Sequence, residues 1–392
     1  MNTLPTTKKI LFLLIMISII IFSLALPYNT HNLDKLAYAI ALGLDVGENN
    51  NLKLTIQFSK TKADSSGSSN SYNKVIDSVE CSSIDSGISI FNTSISRKVN
   101  LAHCKVVVIS EDLAINNKIS DSLYTLVNNV GMNSHAGIII SKIPADEFLN
   151  SANPPLEEIE SRYYENTLES NKYTGYARNI SLLEFFSDTM DSFTEPIAML
   201  GSIRNSPQNS STNISNMGFA VFKSDKLIGE LSPQEAIFHN IVCNHLKSCT
   251  ITIPNPLKDS YSIDVQLKPS KRTKNTVTFI NGNPYISSEI YVKAKIISAT
   301  NQSTFSNNNY YSNGNSKLIE ETCNKYLEKY ITKYLYKTSK EFKSDINGFG
   351  KSAVKYFPTV QEWEKYNWLR NYENSIFNVN VTTSLKSGYT FL

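Results

Sequence analysis

The stretch that decides the fold is LAYAIALGLDVGENNNLKLTIQF, residues 36–58. Its second part alternates polar residues with apolar ones, Leu52, Leu54, Ile56 and Phe58, which is typical of a β-strand with one buried face. Residues 36–44 are apolar enough to form a buried neighbouring strand, and residues 45–51 supply the Asp, Gly and Asn of a turn. The stretch therefore predicts a β-hairpin.

The next elements alternate between strand and helix. Residues 106–109 and 137–140 are short apolar runs that predict buried strands. Between them, apolar residues recur at helical spacing from Ile119 onward and stop at Gly131. A further helix is predicted over residues 181–190. This order indicates a mixed α/β layer.

The second half of the chain follows a Ser- and Asn-rich segment, residues 202–216, which we interpret as a linker. Ser232, Pro233 and Glu235 together form a helix-start signal, a capping box with proline at the first helical position. Strands are predicted around this helix, and an apolar stripe from Ile319 to Leu335 predicts a long helix. The predicted strands lie at residues 219–222, 227–231, 261–267, 276–280, 290–296 and 377–381.

These elements predict an α+β protein. Residues 1–28 form a signal or anchor segment, residues 29–201 an N-terminal α/β domain of one or two subdomains, and residues 202–216 a linker. Residues 217–392 form a C-terminal α+β domain with an antiparallel sheet and a long helix.

The composition excludes several classes of protein. Of 392 residues, 41% are hydrophobic and 19% charged, which suits a globular chain and not a disordered one. The net charge of +3 is too small to imply a nucleic-acid surface. The five cysteines are scattered and odd in number, so they do not form a disulfide framework.

An unbroken apolar run of 17 residues, from Ile10 to Leu26, follows Lys8 and Lys9. The run is at the short end for a membrane-spanning helix and lacks the small-residue cleavage site of a signal peptide. A retained anchor is therefore favoured, and cleavage stays open. In either case the lysines stay cytoplasmic and the rest of the chain is exported. The sequence thus predicts an extracytoplasmic protein that is associated with a membrane.

Candidate chemistry is sparse. The segment HNIVCNHLKSC holds His239, Cys243, His245 and Cys249, all of which are zinc-ligand types. On one helix, His239 and Cys243 share a face, and His245 and Cys249 share another that is offset by roughly 120°. The four side chains could therefore bind one ion only if the helix breaks within the segment. Ordinary helix packing is the favoured interpretation. Asp345, Asn347 and Gly348 faintly resemble a calcium loop, but a tight turn over residues 344–350 is the better interpretation. The sequence predicts no catalytic residues, metal or cofactor.

The long helix carries seven lysines and four glutamates between Lys317 and Lys343. This surface would suit anionic lipid head groups. A solvated face with local pairs such as Glu321–Lys325 is the favoured interpretation.

Three stretches together resemble the Ger(x)C family of spore germination proteins, the C subunits of nutrient germinant receptors. The first is LDKLAYAIALGLDVG followed by LKLTIQF, residues 33–58. The second is GFAVFKSDKLIGELSPQEA, residues 218–236. The third is FKSDINGFG, residues 342–350, in which Asp345, Gly348 and Gly350 form the family's turn, followed by Trp363, Trp368 and a closing strand.

The resemblance implies a non-catalytic, lipoprotein-like subunit on the outer face of the inner spore membrane. It would assemble with a large A subunit and a polytopic B subunit, and the complex would trigger germination in response to nutrients. One departure concerns the tether: the family usually carries a lipid-accepting cysteine directly after the apolar run, whereas the first cysteine here is Cys81. The alternative functions are an anchored solute-binding protein, which requires a polar cleft between domains, and a cell-wall hydrolase, which requires a carboxylate pair or a metal.

Overall fold

The structure is a computed structural model that describes residues 6–25, 35–48, 52–59, 75–116, 119–129, 131–152, 157, 160–169, 171–205, 212–258, 261–299, 310 and 312–386. The strands are β1 (Leu36–Val46), β2 (Leu52–Phe58), β3 (Val75–Cys81), β4 (Lys98–Asn100), β5 (Val106–Ser110), β6 (Gly137–Ser141), β7 (Ile197–Asn205), β8 (Thr212–Lys223), β9 (Lys226–Leu231), β10 (Cys249–Pro254), β11 (Ser262–Pro269), β12 (Lys274–Ile280), β13 (Asn283–Ala299) and β14 (Ile376–Leu385). The helices are α1 (Thr6–Ala25), α2 (Ile84–Ser94), α3 (Glu111–Ile115), α4 (Ile119–Asn128), α5 (Ala145–Ser151), α6 (Glu160–Glu169), α7 (Asn171–Thr174), α8 (Leu182–Met190), α9 (Pro233–Val242), α10 (Asn313–Tyr336), α11 (Gly350–Ala353), α12 (Val360–Tyr366) and α13 (Trp368–Asn371).

Strands β1 to β9 form one sheet in the order β3-β2-β1-β5-β6-β7-β8-β9, with β4 paired to β1. The predicted hairpin is confirmed, since β1 and β2 pair antiparallel with Leu44 opposite Leu54. The centre of the sheet, β1-β5-β6-β7, is parallel, which confirms the mixed α/β layer. All residues of β5 and β6 are buried, as expected of parallel strands that are covered on both faces.

The structure describes residues 202–205 and 212–216 of the segment that we interpret as a linker, and both parts are strand. Residues 202–205 and 212–216 belong to β7 and β8, which pair antiparallel, for example Ile203 with Ile214. The Ser and Asn side chains concealed this pairing because a two-stranded extension of a sheet needs little apolar burial. Strands β8 and β9 then continue the large sheet beyond the predicted domain boundary. We call residues 35–231 the large-sheet unit and residues 232–386 the small-sheet unit.

The small sheet contains β10 to β14. Strands β11 and β12 pair antiparallel with different parts of β13, and β14 pairs parallel with β13 from Tyr285 to Ala294. The prediction of an antiparallel sheet is therefore correct except at β14. The long connection from β13 to β14, which includes α10, makes the parallel pairing possible.

Helix α10 covers the outer edge of β14. Side-chain oxygens of Glu320, Asn324 and Glu328 accept the backbone N–H groups of Leu385, Thr383 and Val381, at 2.7, 2.8 and 2.9 Å. The three acceptor residues are four positions apart on the helix, a rise of about 6 Å. The three donor residues are two positions apart on the strand, a rise of about 6.7 Å, so each acceptor lies opposite one N–H group. An edge that would otherwise expose unpaired N–H groups is thereby closed.

Helix α1 differs from the rest of the described chain in that its apolar side chains are exposed. Its described large side chains, from Ile10 to Ile17 and Ile21, are 43–67% exposed. In the described part of the chain, none of the helices is both long and apolar enough to cross a bilayer. Lys8 and Lys9 fall within α1, and Leu26 lies outside the described residues.

Candidate functional site

The segment SDINGFG, residues 344–350, forms a tight turn at the end of the long helix. After α10 the backbone continues as a wider π-helical turn, Lys337–Phe342, and Lys343 then adopts a left-handed φ of 51° that ends the helix. Gly348 has a φ of 68°, a conformation that favours glycine. The turn leads directly into α11, which begins at Gly350.

The carboxylate of Asp345 organises this turn from the inside. Its Oδ2 accepts the backbone N–H of Gly350 at 2.9 Å and the indole N–H of Trp368 at 2.8 Å. Its Oδ1 accepts the N–H of Asn347 at 3.2 Å. Burial raises the pKa of Asp345 to about 6, and these N–H donors limit the rise. These hydrogen bonds join the carboxylate of Asp345 to the backbone of the turn and to Trp368, so the residue holds the turn together.

The same turn joins the two units of the chain. The backbone carbonyl of Asp345 accepts the N–H of Glu195 at 3.0 Å and the hydroxyl of Thr194 at 3.1 Å. The hydroxyl of Ser344 donates to the carbonyl of Phe222 at 2.8 Å. These contacts connect the small-sheet unit to the segment before β7 and to β8. The turn is therefore a joint between the units.

Glu195 is a second buried carboxyl group at this joint. Its side chain is 5% exposed and accepts the N–H of Ser224 at 2.5 Å. Burial raises the pKa of Glu195 to about 7, and the negative charge of Asp345 contributes in the same direction. The two acids therefore titrate close to neutral pH at one contact between the units.

Gly350 is required by close approach and not by a left-handed φ. A Cβ atom there would lie 2.3 Å from the carbonyl oxygen of Phe193 and 2.8 Å from Cδ1 of Trp368. Trp363 extends the contact, because its indole N–H donates to the hydroxyl of Ser192 at 3.1 Å and its ring lies 5.2 Å from that of Phe193. The tryptophans stack on each other with centroids 6.0 Å apart.

The predicted helix over the His–Cys segment ends earlier than expected. Helix α9 stops at Val242, Asn244 takes a left-handed φ of 63°, and Cys249 begins β10. His245 and Cys249 therefore do not lie on the same helix as His239, and the 120° offset expected for one continuous helix does not apply to them. Among the described residues, however, no three His, Cys, Asp or Glu side chains are grouped so as to hold a metal ion.

His239 and Cys243 do lie together, with Nδ1 and Sγ 3.8 Å apart. Burial raises the pKa of Cys243 to about 12 and lowers that of His239 well below its usual value. The thiol and the imidazole are therefore both neutral near pH 7, which does not favour a nucleophile. The hydroxyl of Tyr334 donates to Oδ1 of Asn347 at 2.7 Å and lies 3.0 Å from Nδ1 of His239. This chain of hydrogen bonds ties α9 and α10 to the turn.

Sequence reasoning identified Asp345, Gly348, Gly350 and both tryptophans, and the structure brings all five to one joint. It missed Glu195 and Thr194, because a single Thr–Glu–Pro triplet after a helix carries no recognisable pattern. The predicted anchor residues at the N-terminus are not part of this joint.

Two family models match the chain in order. The spore germination protein N-terminal domain matches residues 29–203, and the spore germination B3/GerAC-like C-terminal domain matches residues 217–388. The gap between the two matches falls within the β7–β8 hairpin.

Relatives and a solved structure agree with these matches. A putative spore germination protein, YfkR of Bacillus subtilis, is 22% identical over 82% of this chain and 81% of its own length. Spore germination protein KC of the same organism is 24% identical over 91% and 89%. The crystal structure of the GerBC protein matches 88% of this chain and 97% of its own with a TM-score of 0.52 at 16% identity, which shows that the fold is shared. Because both domains match in order and the turn residues agree with the family's pattern, this chain belongs to the Ger(x)C family of spore germination proteins.

Proposed function

We propose that this chain is a non-catalytic, membrane-associated subunit of a spore nutrient germinant receptor, and that it acts through protein–protein contacts. The observation that carries the proposal is that both spore germination domains match in order, over residues 29–203 and 217–388. Partner A and B subunits, and a position on the outer face of the inner spore membrane, follow from the family resemblance.

The joint supports a structural and not a catalytic role. Asp345 and Glu195 accept N–H groups inside the protein and do not face each other across an open cleft, as the carboxylates of a hydrolase do. Cys243 and His239 are neutral and buried. A rigid joint of this kind would fix the angle between two units that each contact a different partner.

Membrane association is supported by α1. Contiguous exposed apolar side chains such as those from Ile10 to Ile17 usually mark a surface that lipid or a partner protein covers. The cysteine that carries lipid in the family is absent after this run, since the first cysteine, Cys81, is buried next to β2. The apolar segment or the partner subunits would then provide the attachment.

Deletion of the gene tests the proposal. We expect mutant spores to lose the response to at least one nutrient while vegetative growth stays normal, and we expect the wild-type gene to restore the response. A growth defect with normal germination on all nutrients would contradict the proposal.

A further inference from the structure

A pocket of about 380 Å³ lies within the small-sheet unit, away from the joint. This volume is within the range of small-molecule sites. Three parts of the chain line it: residues at and just after the end of α9, residues 269–273, which lead from β11 into β12, and residues 290–292 of β13. We call it the α9 pocket.

The floor of the α9 pocket is apolar. Ile290, Val292 and Ile241 are 1%, 2% and 3% exposed, and Leu246 is 6% exposed. None of the residues that line the pocket, all of which the structure describes, carries a carboxylate. An occupant would bury its own apolar surface against this floor, and each buried CH₂ group strengthens binding about fourfold.

Two cations lie at the mouth of the α9 pocket. Lys271 and Arg272 line it, and both side chains are exposed. Among the residues that the structure describes, neither forms an ion pair with a carboxylate. Nζ of Lys271 lies 5.0 Å from the ring centroid of Tyr291, a cation–π contact with another lining residue. The mouth therefore attracts anions and repels cations.

The end of α9 does not account for these two cations. Cations often lie near the C-terminus of a helix because its last carbonyl groups lack partners. Here the carbonyl of Ile241 accepts the hydroxyl of Thr273 at 2.9 Å, and that of Val242 accepts the side-chain amide of Asn275 at 3.0 Å. Neutral side chains thus satisfy these carbonyl groups, and the charges of Lys271 and Arg272 are free to serve another partner.

The segment that carries the two cations is fixed on both sides. Asn244, in a left-handed conformation with a φ of 63°, donates its side-chain amide to the carbonyl of Thr273 at 3.0 Å and accepts the N–H of Thr273 at 2.5 Å. The N–H of Ser270 donates to the carbonyl of Tyr291 at 2.9 Å. The backbone of Lys271 and Arg272 is therefore held over the floor before any ligand binds, which lowers the cost of binding.

The apolar floor and the two cations together select one class of occupant. A purely apolar molecule would leave both cations unused, and an inorganic anion would leave the floor uncovered. An α-amino acid would bring its ammonium close to two cations. We propose that the α9 pocket binds a small organic carboxylate, with its apolar body on the floor and its carboxylate at Lys271 and Arg272.

The test is isothermal titration calorimetry of the full-length chain in a nonionic detergent, with 3-phenylpropanoate as the probe. We expect saturable binding of this probe. Phenylacetate and benzoate, which are shorter by one and two CH₂ groups, should bind about fourfold more weakly for each group lost. Non-saturable uptake of 3-phenylpropanoate would overturn the proposal.

Three compounds with the same apolar body test the need for a lone negative charge. They are 3-phenylpropan-1-ol, which has no charge, 3-phenylpropylamine, which has a positive charge, and L-phenylalanine, which adds an ammonium beside the carboxylate. Each should bind at least about tenfold more weakly than 3-phenylpropanoate. Equal affinity of the alcohol or of L-phenylalanine would show that the cations do not select the ligand, and would overturn the proposal.

Variants of the two cations locate the site. Lys271→Met and Arg272→Met change exposed side chains, so both variants should fold. Each should weaken binding of 3-phenylpropanoate at least about threefold, and the double variant at least about tenfold. The matched controls Lys226→Met and Arg370→Met change exposed cations outside the α9 pocket and should bind like the wild type.

Unchanged affinity in the double variant would overturn the assignment. Uptake of the probe by detergent micelles is the same for every variant, so it does not affect this comparison. The proposal concerns binding by the chain itself and does not depend on its proposed function. Spores that lack the gene would show the same germination defect whether or not the α9 pocket binds a carboxylate, so the two proposals fail separately.

Discussion

Replacement of Asp345 tests the joint most sharply. In Asp345→Ala, the N–H groups of Gly350 and Asn347 and the indole N–H of Trp368 all lose their acceptor. Each unpaired buried donor costs about 2 kcal/mol, so the three together cost about 6 kcal/mol.

Part of that loss is offset. Burial raises the pKa of Asp345 from 3.8 to about 6, so near pH 7 the ionised group costs about 3 kcal/mol in the folded state, and alanine removes this cost. We therefore expect the free energy of unfolding to fall by about 3 kcal/mol. Asp345→Asn removes the charge but retains one oxygen for the two donors on Oδ2, so it should stay within about 1 kcal/mol of the wild type.

Urea denaturation of the full-length chain, followed by tryptophan fluorescence, measures these differences. Trp363 and Trp368 are the two tryptophans of the chain, and both lie at the joint, so the signal reports on it directly. Asp112→Ala, at an exposed position, is the control and should change stability by less than about 0.5 kcal/mol. A loss below about 1 kcal/mol in Asp345→Ala, or equal losses in the Ala and Asn variants, would refute the hydrogen-bond argument.

Three further predictions concern the surrounding structure. The pKa of Glu195 is raised, so the contribution of this residue to stability is lost as pH rises from about 4.5 to about 7. The stability of Glu195→Gln relative to the wild type should therefore increase by about 3 kcal/mol between pH 4 and pH 8. A pH-independent difference in urea denaturation would contradict this. Gly350→Val should prevent normal packing of the joint and lower the yield of folded protein, whereas Gly314→Val, where a Cβ meets nothing within 4 Å, should not; equal yields would show that the close approach is unimportant. Glu328→Ala leaves the N–H of Val381 in β14 without its acceptor and should lower the free energy of unfolding by about 2 kcal/mol in the same denaturation assay. The control Glu321→Ala, on the exposed side of α10, should lower it by less than about 0.5 kcal/mol. Similar losses in the two variants would argue against the role of α10 at the sheet edge.

The elements with clear periodicity could be predicted from the sequence. The β1–β2 hairpin, the capping box of α9 and the apolar stripe of α10 all follow from local patterns, and the structure contains all three. The capping box joins Ser232 and Glu235, which are three residues apart, so the local sequence is enough to predict it, although Lys337 also pairs with the carboxylate of Glu235.

Non-local pairing could not be predicted in the same way. Residues 202–205 and 212–216 are mostly polar, yet they pair with each other and extend β7 and β8 beyond the end of β6. The parallel placement of β14 depends on α10, which carries the chain back across the sheet. The partners of Asp345 at the joint, Thr194 and Glu195, are about 150 residues away in sequence, and no local pattern records that distance.

The most direct test of the central claim is co-purification of the tagged full-length chain from detergent-solubilised spore membranes. If the chain is a receptor subunit, it should co-purify with at least one polytopic membrane protein in a stoichiometric complex, and Gly350→Val, which disrupts the joint, should reduce that complex. Recovery of the wild-type chain as a lone monomer, from spores that germinate normally, would contradict the account.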